Sequence, residues 1–263
     1  MARGVDRRRT IPLPHDSTLP DGDKPRRFPR TQSLRSGYKG SFRMKEKESK
    51  KIVAAGYNLV STAYNATQDS AKEVSYRAWL EPVSRELAPG ADVLDLGCGC
   101  GVPASRILAD RFTVTGVDIS PVQIKEAKSL VPHARFLVGD MTAVSFDPAT
   151  FDAVVSFYAI IHVPLDEQFS LIQSIYRWLR EPGMAVMIVG SRAWTGVEED
   201  WLGVKGATMF WSHADAGTYR LWFENVGFNV IEETFVPDPI GRGGHQKFLL
   251  KKSRSNVDGE YSK

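Results

Sequence analysis

The sequence is poor in cysteine and lacks long apolar runs, and each shortage excludes a class of protein. Two cysteines among 263 residues are too few for a small domain held together by disulfides. No apolar run reaches about 18 residues, the length that a membrane-spanning helix requires. The composition, 42% hydrophobic and 25% charged, is typical of a soluble globular protein. We therefore expect a cytoplasmic protein with a sizeable buried core.

Positive charge is concentrated at the start of the chain. Residues 1–43 hold nine arginines and two lysines against four aspartates, so their net charge is +7. Residues 44–263 have a net charge of −4, which gives the whole chain its net charge of +3. A mildly acidic body does not favour nucleic-acid binding, although the arginine-rich segment leaves a nucleic-acid tether or an address signal open. Residues 1–43 and 253–263 have the composition of disordered tails, which predicts one domain at 44–252.

Helix and strand patterns alternate through the body of the chain. Helices are predicted at about 46–65, 70–87, 102–110, after Ser120, 166–180 and 213–226, the last capped by Ser212. Strands are predicted at 91–96, 113–119, 134–138, 151–157, 185–189, 228–235 and 247–250. This alternation predicts a mostly parallel seven-stranded sheet with helices on both faces. The link between the last two strands is too short for a crossover helix, so they should form an antiparallel hairpin.

The strongest local motif runs from Val93 to Gly101, where a strand enters a turn with glycine at positions 97, 99 and 101. Glycine permits a tight turn and a close approach of backbone N–H groups to a ligand. The next strand ends on Asp118, which is well placed to accept hydrogen bonds from two ribose hydroxyls. The pattern predicts a nucleoside site at the carboxyl edge of the sheet.

The spacing of the glycines does not fit a dinucleotide. That fingerprint requires Gly-x-Gly-x-x-Gly, whereas the sixth position counted from Gly97 is Val102. Asp95, two residues before the first glycine, would repel a pyrophosphate but would attract an ammonium group. S-adenosylmethionine carries such a group, so a dehydrogenase is disfavoured.

Taken together, the motifs resemble the class I S-adenosylmethionine-dependent methyltransferases, in particular the small-molecule type related to the ubiquinone/menaquinone-biosynthesis enzymes. The resemblance extends from about Ala54 to Lys252. The segments that carry it are Val93–Gly101, Gly116–Ser120, Gly139–Met141, Phe151–Val155 with the following Phe157–Pro164, and Trp178–Gly183. It implies a Rossmann-like fold, S-adenosylmethionine as cofactor, and methyl transfer to an oxygen or nitrogen atom of a small molecule in secondary or cofactor metabolism.

The resemblance also implies roles for individual residues around the cofactor. They are Asp95, Gly97, Gly99 and Gly101 for its methionine part, Asp118 for the ribose, Ile119, Asp140 and Met141 for the adenine, and Phe157 beside it. Tyr57 and Tyr64 fall on the N-terminal helical cover, about 46–87, where they would bind the cofactor's carboxylate or frame the pocket. A buried amphipathic stripe explains their spacing equally well.

Two histidines are candidates for a general base. His162 follows the fourth strand, at the edge where an acceptor should approach, but it could equally bond the loop backbone. His213 would lie just after the Ser212 cap, where the helix dipole would keep it neutral. The sequence predicts no metal site.

The long connection 192–213 is unusually aromatic, which is typical of a structured loop over a binding site. We expect Trp194, Trp201 and Trp211 to form an apolar wall for the acceptor, with Glu198 or Glu199 orienting it and His245 contributing from the final hairpin. Alternatively, these aromatic residues only anchor the loop to the sheet.

Three other functions stay open at this point. They are methylation of a protein or peptide, methylation of RNA, and non-catalytic binding of S-adenosylmethionine by a regulatory protein. The sequence predicts no oligomeric state.

Overall fold

The helices and strands alternate along the chain much as predicted. The structure, a computed structural model, describes residues 46–65, 70–238 and 243–253, so the predicted tails lie outside the described residues apart from Ser253. The helices are α1 (Glu46–Asn65), α2 (Ser70–Glu86), α3 (Ala104–Ala109), α4 (Pro121–Leu130), α5 (Leu165–Trp178) and α6 (Ala216–Val226). The strands are β1 (Asp92–Leu96), β2 (Thr113–Asp118), β3 (Arg135–Val138), β4 (Phe151–Phe157), β5 (Leu179–Gly190), β6 (Trp194–Glu198), β7 (Met209–His213), β8 (Phe228–Pro237) and β9 (Gly244–Lys252).

Seven of these strands form one sheet in the order β3-β2-β1-β4-β5-β9-β8. Strands β1 to β5 pair in parallel, whereas β9 runs antiparallel to both β5 and β8. The predicted mostly parallel seven-stranded sheet and its C-terminal antiparallel hairpin are therefore confirmed. Among the described residues, no helix is long and apolar enough to cross a membrane.

The sheet is covered on both faces, which explains why its central strands are continuously apolar. On one face, Ile172 and Ile175 of α5 and Phe223 of α6 pack against β1, β4 and β5. On the other, Leu80 of α2 and Leu108 of α3 pack against alternate residues of the same strands. The two cores leave the carboxyl ends of β1 to β4 at one edge of the sheet.

Helix α4 begins after Ser120, as the sequence predicts. The Ser120 hydroxyl accepts a hydrogen bond from the backbone N–H of Gln123 at 3.1 Å, and Pro121 occupies the first helical position. A hydroxyl at this position satisfies one of the free N–H groups of the first turn. This cap fixes the direction of the chain directly after Asp118.

The predicted cap of the last helix is wrong. Ser212 and His213 belong to β7, which pairs antiparallel with β6. The hydroxyl of Ser212 instead accepts from the backbone N–H of Leu165, the first residue of α5, at 3.1 Å. Helix α6 begins three residues later, where the carboxylate of Asp215 accepts from the N–H of Thr218 at 2.9 Å. The region after β5 is thus a hairpin, because the buried residues of 209–213 pair with a second strand.

A smaller difference concerns the end of α5. The helix predicted at 166–180 ends at Trp178, and Leu179 already pairs with Phe151 of β4. The strand predicted at 185–189 therefore begins earlier.

The assignment of the α6 cap can be tested by mutation. Asp215→Ala should lower the free energy of unfolding by about 1 kcal/mol, since a free N–H group of the first turn loses its acceptor. Asp215→Asn should keep most of the stability because asparagine caps helices as well as aspartate does. Urea denaturation measures both, and equal losses in the two variants would contradict this cap.

Candidate active site

The glycine turn after β1 adopts a backbone that only glycine accepts easily. Gly97, Gly99 and Gly101 have φ angles of 77°, 54° and 77°, in the left-handed region. A Cβ atom on Gly97 would lie 2.1 Å from the Cβ of Ala159, so there is no room for a side chain. The turn is held to β2 by the N–H groups of Gly97 and Cys98, which donate to the carbonyl of Val117 at 2.7 and 3.1 Å.

Asp118 ties this turn to the start of α4. Its carboxylate accepts from the backbone N–H of Gly99 and from that of Ser120, both at 2.9 Å. Burial raises the pKa of Asp118, although these two hydrogen bonds oppose the change. The carboxylate is therefore fixed in orientation while its side chain lines a cavity.

Asp95 is the most enclosed carboxylate of the site, with 2% of its surface exposed. It accepts a hydrogen bond from the hydroxyl of Ser105 at 2.6 Å. Burial raises its pKa to about 7, and the nearby charge of Asp118 acts in the same direction. A cationic group placed beside Asp95 would favour its ionised form.

Two small adjoining cavities, of about 70 and 30 Å³, bring together most of the residues expected to bind the cofactor. The residues lining one or both of them include Tyr57, Tyr64, Asp95, Gly97, Gly99, Asp118, Ile119, Asp140, Met141 and Phe157. Gly101 is the exception: it lines neither cavity and packs under Phe136 and Val131. Carboxylates at or near the carboxyl ends of three successive strands thus line adjoining spaces, as a ligand with an ammonium, a ribose diol and an adenine amine requires.

Helix α1 covers these cavities. Its residues Tyr57 and Tyr64 contact each other edge to face, with ring centroids 5.7 Å apart. Asn58 accepts from the hydroxyl of Ser120 at 2.6 Å, which joins α1 to the cap of α4. The predicted cover therefore contacts the cofactor side of the sheet directly.

His162 lies in a short 3-10 turn after β4, and both of its ring nitrogens have partners. Nδ1 is 2.7 Å from the carbonyl oxygen of Phe210, so this nitrogen must carry the proton. Nε2 then accepts from the hydroxyl of Tyr57 at 3.1 Å. Burial lowers the pKa of His162 to about 4, so the ring is neutral at pH 7.

We call the two small cavities described above the cofactor cavities. A third cavity, of about 520 Å³, meets them at Tyr57, Tyr64, Tyr158 and His162. We call it the acceptor cavity. Its remaining aromatic lining comes from α2, from the β6–β7 hairpin and from β9: Tyr76, Trp79, Trp201, Trp211 and His245. A space of this size is in the range of small-molecule sites.

Three residues predicted for catalysis or for the acceptor do not line this cavity. Trp194 is 47% exposed on β6, and Glu198 is exposed at the other end of that strand. Nδ1 of His213 donates to the carbonyl of Arg192 at 2.6 Å, beside Gly190. The predicted helix start at His213 is wrong, and His213 does not line the acceptor cavity because the hairpin fixes its position.

Sequence reasoning missed several lining residues. Tyr76 and Trp79 are three residues apart on α2, a spacing that predicts a shared face but not what that face covers. Tyr158 has a φ angle of 58°, unusual for a non-glycine residue, and its ring contacts that of His245 with centroids 4.9 Å apart. Its position directly after the fourth strand was the available signal.

No cluster of three or more metal-binding side chains occurs in the part of the chain that the structure describes.

Comparison with known proteins shows what part of this chain is similar to. Residues 93–183 match a family model described as a methyltransferase domain. The chain is 42% identical over 106 residues to 2-methyl-6-phytyl-1,4-hydroquinone methyltransferase of Synechocystis sp., covering 38% of this chain and 32% of the relative. It is 31% identical over 159 residues to sterol methyltransferase-like 2 of Botryococcus braunii, covering 52% of this chain and 40% of the relative. The chain therefore spans well under half the length of these curated relatives.

Solved structures share the fold. One is 1,6-didemethyltoxoflavin-N1-methyltransferase of Burkholderia thailandensis, with bound S-adenosylhomocysteine, at a TM-score of 0.60 and 18% identity, over 80% of this chain and 92% of that one. Another is magnesium protoporphyrin IX methyltransferase of Synechocystis, also with S-adenosylhomocysteine, at a TM-score of 0.59 and 16% identity, over 78% of this chain and 100% of that one. The likeness confirms the Rossmann-like class I fold.

The buried neutral state of His162 predicts a pH dependence of stability. The unfolded chain binds a proton at this residue below about pH 6.5, whereas the folded protein does so only near pH 4. Stability should therefore fall as the pH falls through this interval, by up to about 3 kcal/mol, and His162→Asn should lack this contribution.

The measurement is urea denaturation of both proteins between pH 4.5 and 7.5 (roughly the interval in which the unfolded residue titrates). Asp95, whose raised pKa acts in the opposite direction, is common to both proteins and cancels in their difference. A difference that does not change with pH would contradict the neutral, buried imidazole.

Proposed function

We propose that this chain, which carries an S-adenosylmethionine-dependent methyltransferase domain, transfers a methyl group to a small molecule held in the acceptor cavity. The observation that carries the proposal is the junction of the cavities at Tyr57, Tyr64, Tyr158 and His162. When bound, the cofactor supplies a methyl group that is already electrophilic. The protein then has to hold the acceptor atom in line with that group and exclude water.

Three carboxylates hold the cofactor in this proposal. Asp95 pairs with its ammonium group, Asp118 accepts from the ribose hydroxyls, and Asp140 accepts from the adenine amine. Gly97 and Gly99 line the cavity without side chains, so the backbone of the turn can approach the ligand closely. Phe157, Ile119 and Met141 provide apolar surface in the same cavity.

The acceptor cavity is suited to a mainly apolar molecule, because its lining is mostly aromatic, with Lys72 and Asp238 as the charged residues among those that line it. Burial raises the pKa of Tyr64 to about 12 and that of Tyr158 still further, so both stay neutral phenols. It lowers the pKa of His162 and His245, so both are neutral imidazoles near pH 7. Aromatic rings with neutral hydroxyl and imidazole groups favour a ring-shaped acceptor that carries a hydroxyl or amine. The acidic body outside residues 1–43 supports a small molecule over a nucleic acid.

Tyr57 and His162 are placed to handle a proton at the junction. Because Nδ1 of His162 is committed to Phe210, a proton can be taken up only at Nε2, which now accepts from Tyr57. A general base adds roughly 10²- to 10⁴-fold to such a transfer. The low pKa of His162 makes it a weak base, so its main task is to hold the hydroxyl of Tyr57, whose oxygen can then accept a hydrogen bond from the acceptor.

Cofactor binding tests the proposal directly. By calorimetry, the protein should bind S-adenosylmethionine and S-adenosylhomocysteine but not NAD. Asp118→Ala should weaken binding by about 100-fold or more, since two hydrogen bonds to a charged acceptor are lost. Asp110→Ala, at an exposed aspartate after α3, is the matched control and should bind normally. A wild-type protein that binds neither sulfur compound would overturn the proposal, and circular dichroism checks that each variant is folded.

Asp95 should make this binding depend on pH. Pairing with an ammonium group requires the carboxylate, and the pKa of Asp95 in the free protein is about 7. The affinity for S-adenosylhomocysteine should therefore rise roughly tenfold from pH 6 to pH 8. Asp95→Asn keeps an acceptor for Ser105, should bind more weakly, and should lose this dependence. An equal pH dependence in both proteins would show that another group is responsible.

A further inference from the structure

A single lysine of α1 joins three side chains at the edge of the cofactor cavity. The ammonium nitrogen of Lys50 lies 2.9 Å from Oδ2 of Asp140 and 2.7 Å from the hydroxyl of Thr142. It also forms a short ion pair with the carboxylate of Glu167. The side chain of Lys50 is 20% exposed, and those of Asp140 and Glu167 are 25% and 23% exposed. We call these four residues the Lys50 cluster.

The cluster connects three separate parts of the fold. Lys50 lies in the first half of α1, Asp140 and Thr142 follow β3, and Glu167 lies in the first turn of α5. One cation between two carboxylates holds these elements together, and its partial burial makes the attraction stronger than that of an exposed pair. The pKa of Lys50 is raised and that of Asp140 is lowered, because the hydrogen bonds and charges between them outweigh burial.

The cluster also fixes the orientation of Asp140. Oδ1 accepts from both the backbone N–H and the hydroxyl of Thr142, each at 2.9 Å. Oδ2 accepts from Lys50 and retains a further lone pair. Lys50 and Asp140 line the same cavity as Gly139 and Met141, which places the cluster at the adenine end of the proposed cofactor site.

Three other hydrogen bonds of α1 are of a different kind. Tyr57 donates to His162, Ser120 donates to Asn58, and Ser61 donates to Glu126 at 3.1 Å. Each involves at most one charged group, whereas Lys50 forms two ion pairs at once. Lys50 is therefore the strongest electrostatic link that we describe between the cover helix and the rest of the site.

We infer that Lys50 is a positioning residue that closes α1 over the adenine end of the cofactor cavity and orients Asp140 to receive the adenine amine. The inference rests on the proposed function, because it concerns how the cofactor is retained. In this inference, release of a bound cofactor requires α1 to move away, and that movement would separate Lys50 from both carboxylates.

The dissociation rate of S-adenosylhomocysteine tests this inference. We expect Lys50→Met to raise the rate about tenfold or more, and Lys50→Arg to restore most of the retention because it keeps the positive charge. Glu167→Gln, which leaves Asp140 untouched, should raise the rate by a smaller factor. Lys51→Met, at the exposed neighbouring lysine, is the matched control and should dissociate like the wild type.

Hydrogen exchange separates a positioning role from a general loss of stability. In Lys50→Met, the amides of α1 should exchange faster while those of β4 and β5 keep their wild-type rates. Equal dissociation rates for Lys50→Met and the wild type would overturn the inference, as would uniformly faster exchange across the sheet. If the wild type binds neither sulfur compound, the proposed function fails. The role of Lys50 is then judged without ligand: unchanged hydrogen exchange of the α1 amides in the free Lys50→Met protein would show that Lys50 does not hold α1 closed.

Discussion

The carboxylate of Asp118 accepts two backbone hydrogen bonds, one from the glycine turn and one from the start of α4, and the rest of the site depends on this arrangement. The turn has three residues with positive φ angles, a backbone that needs external support to keep one conformation. Asp118 supplies that support from the end of β2. Because the same carboxylate lines a cofactor cavity, the group that fixes the turn is also the group proposed to bind the ribose hydroxyls.

The second physical feature of the structure is that neighbouring elements cover the cofactor and acceptor cavities. Helix α1 covers the cofactor side, and aromatic residues of α2 and of the β6–β7 hairpin surround the acceptor side. Burial keeps the phenols and imidazoles of this space neutral. A covered, mainly aromatic space strengthens the electrostatic contacts that hold a ligand and limits the access of water. Both effects would serve the proposed transfer between two bound molecules.

Much of the fold, and the place in the fold of the proposed cofactor site, was predictable from sequence because the signals are local. Buried parallel strands are continuous apolar runs, and the glycine turn with Asp95 and Asp118 follows from spacing alone. The hairpin of β6 and β7 was not predictable in this way, since its pairing joins segments whose aromatic residues are equally typical of a loop. The Lys50 cluster was missed because its partners are distant in sequence: Lys50 and Glu167 are 117 residues apart. Tyr76, Trp79 and Tyr158 were missed because periodicity shows which residues share a face but not which cavity that face borders.

The central claim is methyl transfer to a small, mainly apolar acceptor. It is tested most directly by incubating the protein with methyl-labelled S-adenosylmethionine and an extract of its source organism, and then separating low-molecular-weight compounds extractable into organic solvent from protein and nucleic acid. We expect label to enter the small-molecule fraction, and to do so only when the protein is present. Label confined to the macromolecular fractions, or no transfer by a protein that binds the cofactor, would contradict it.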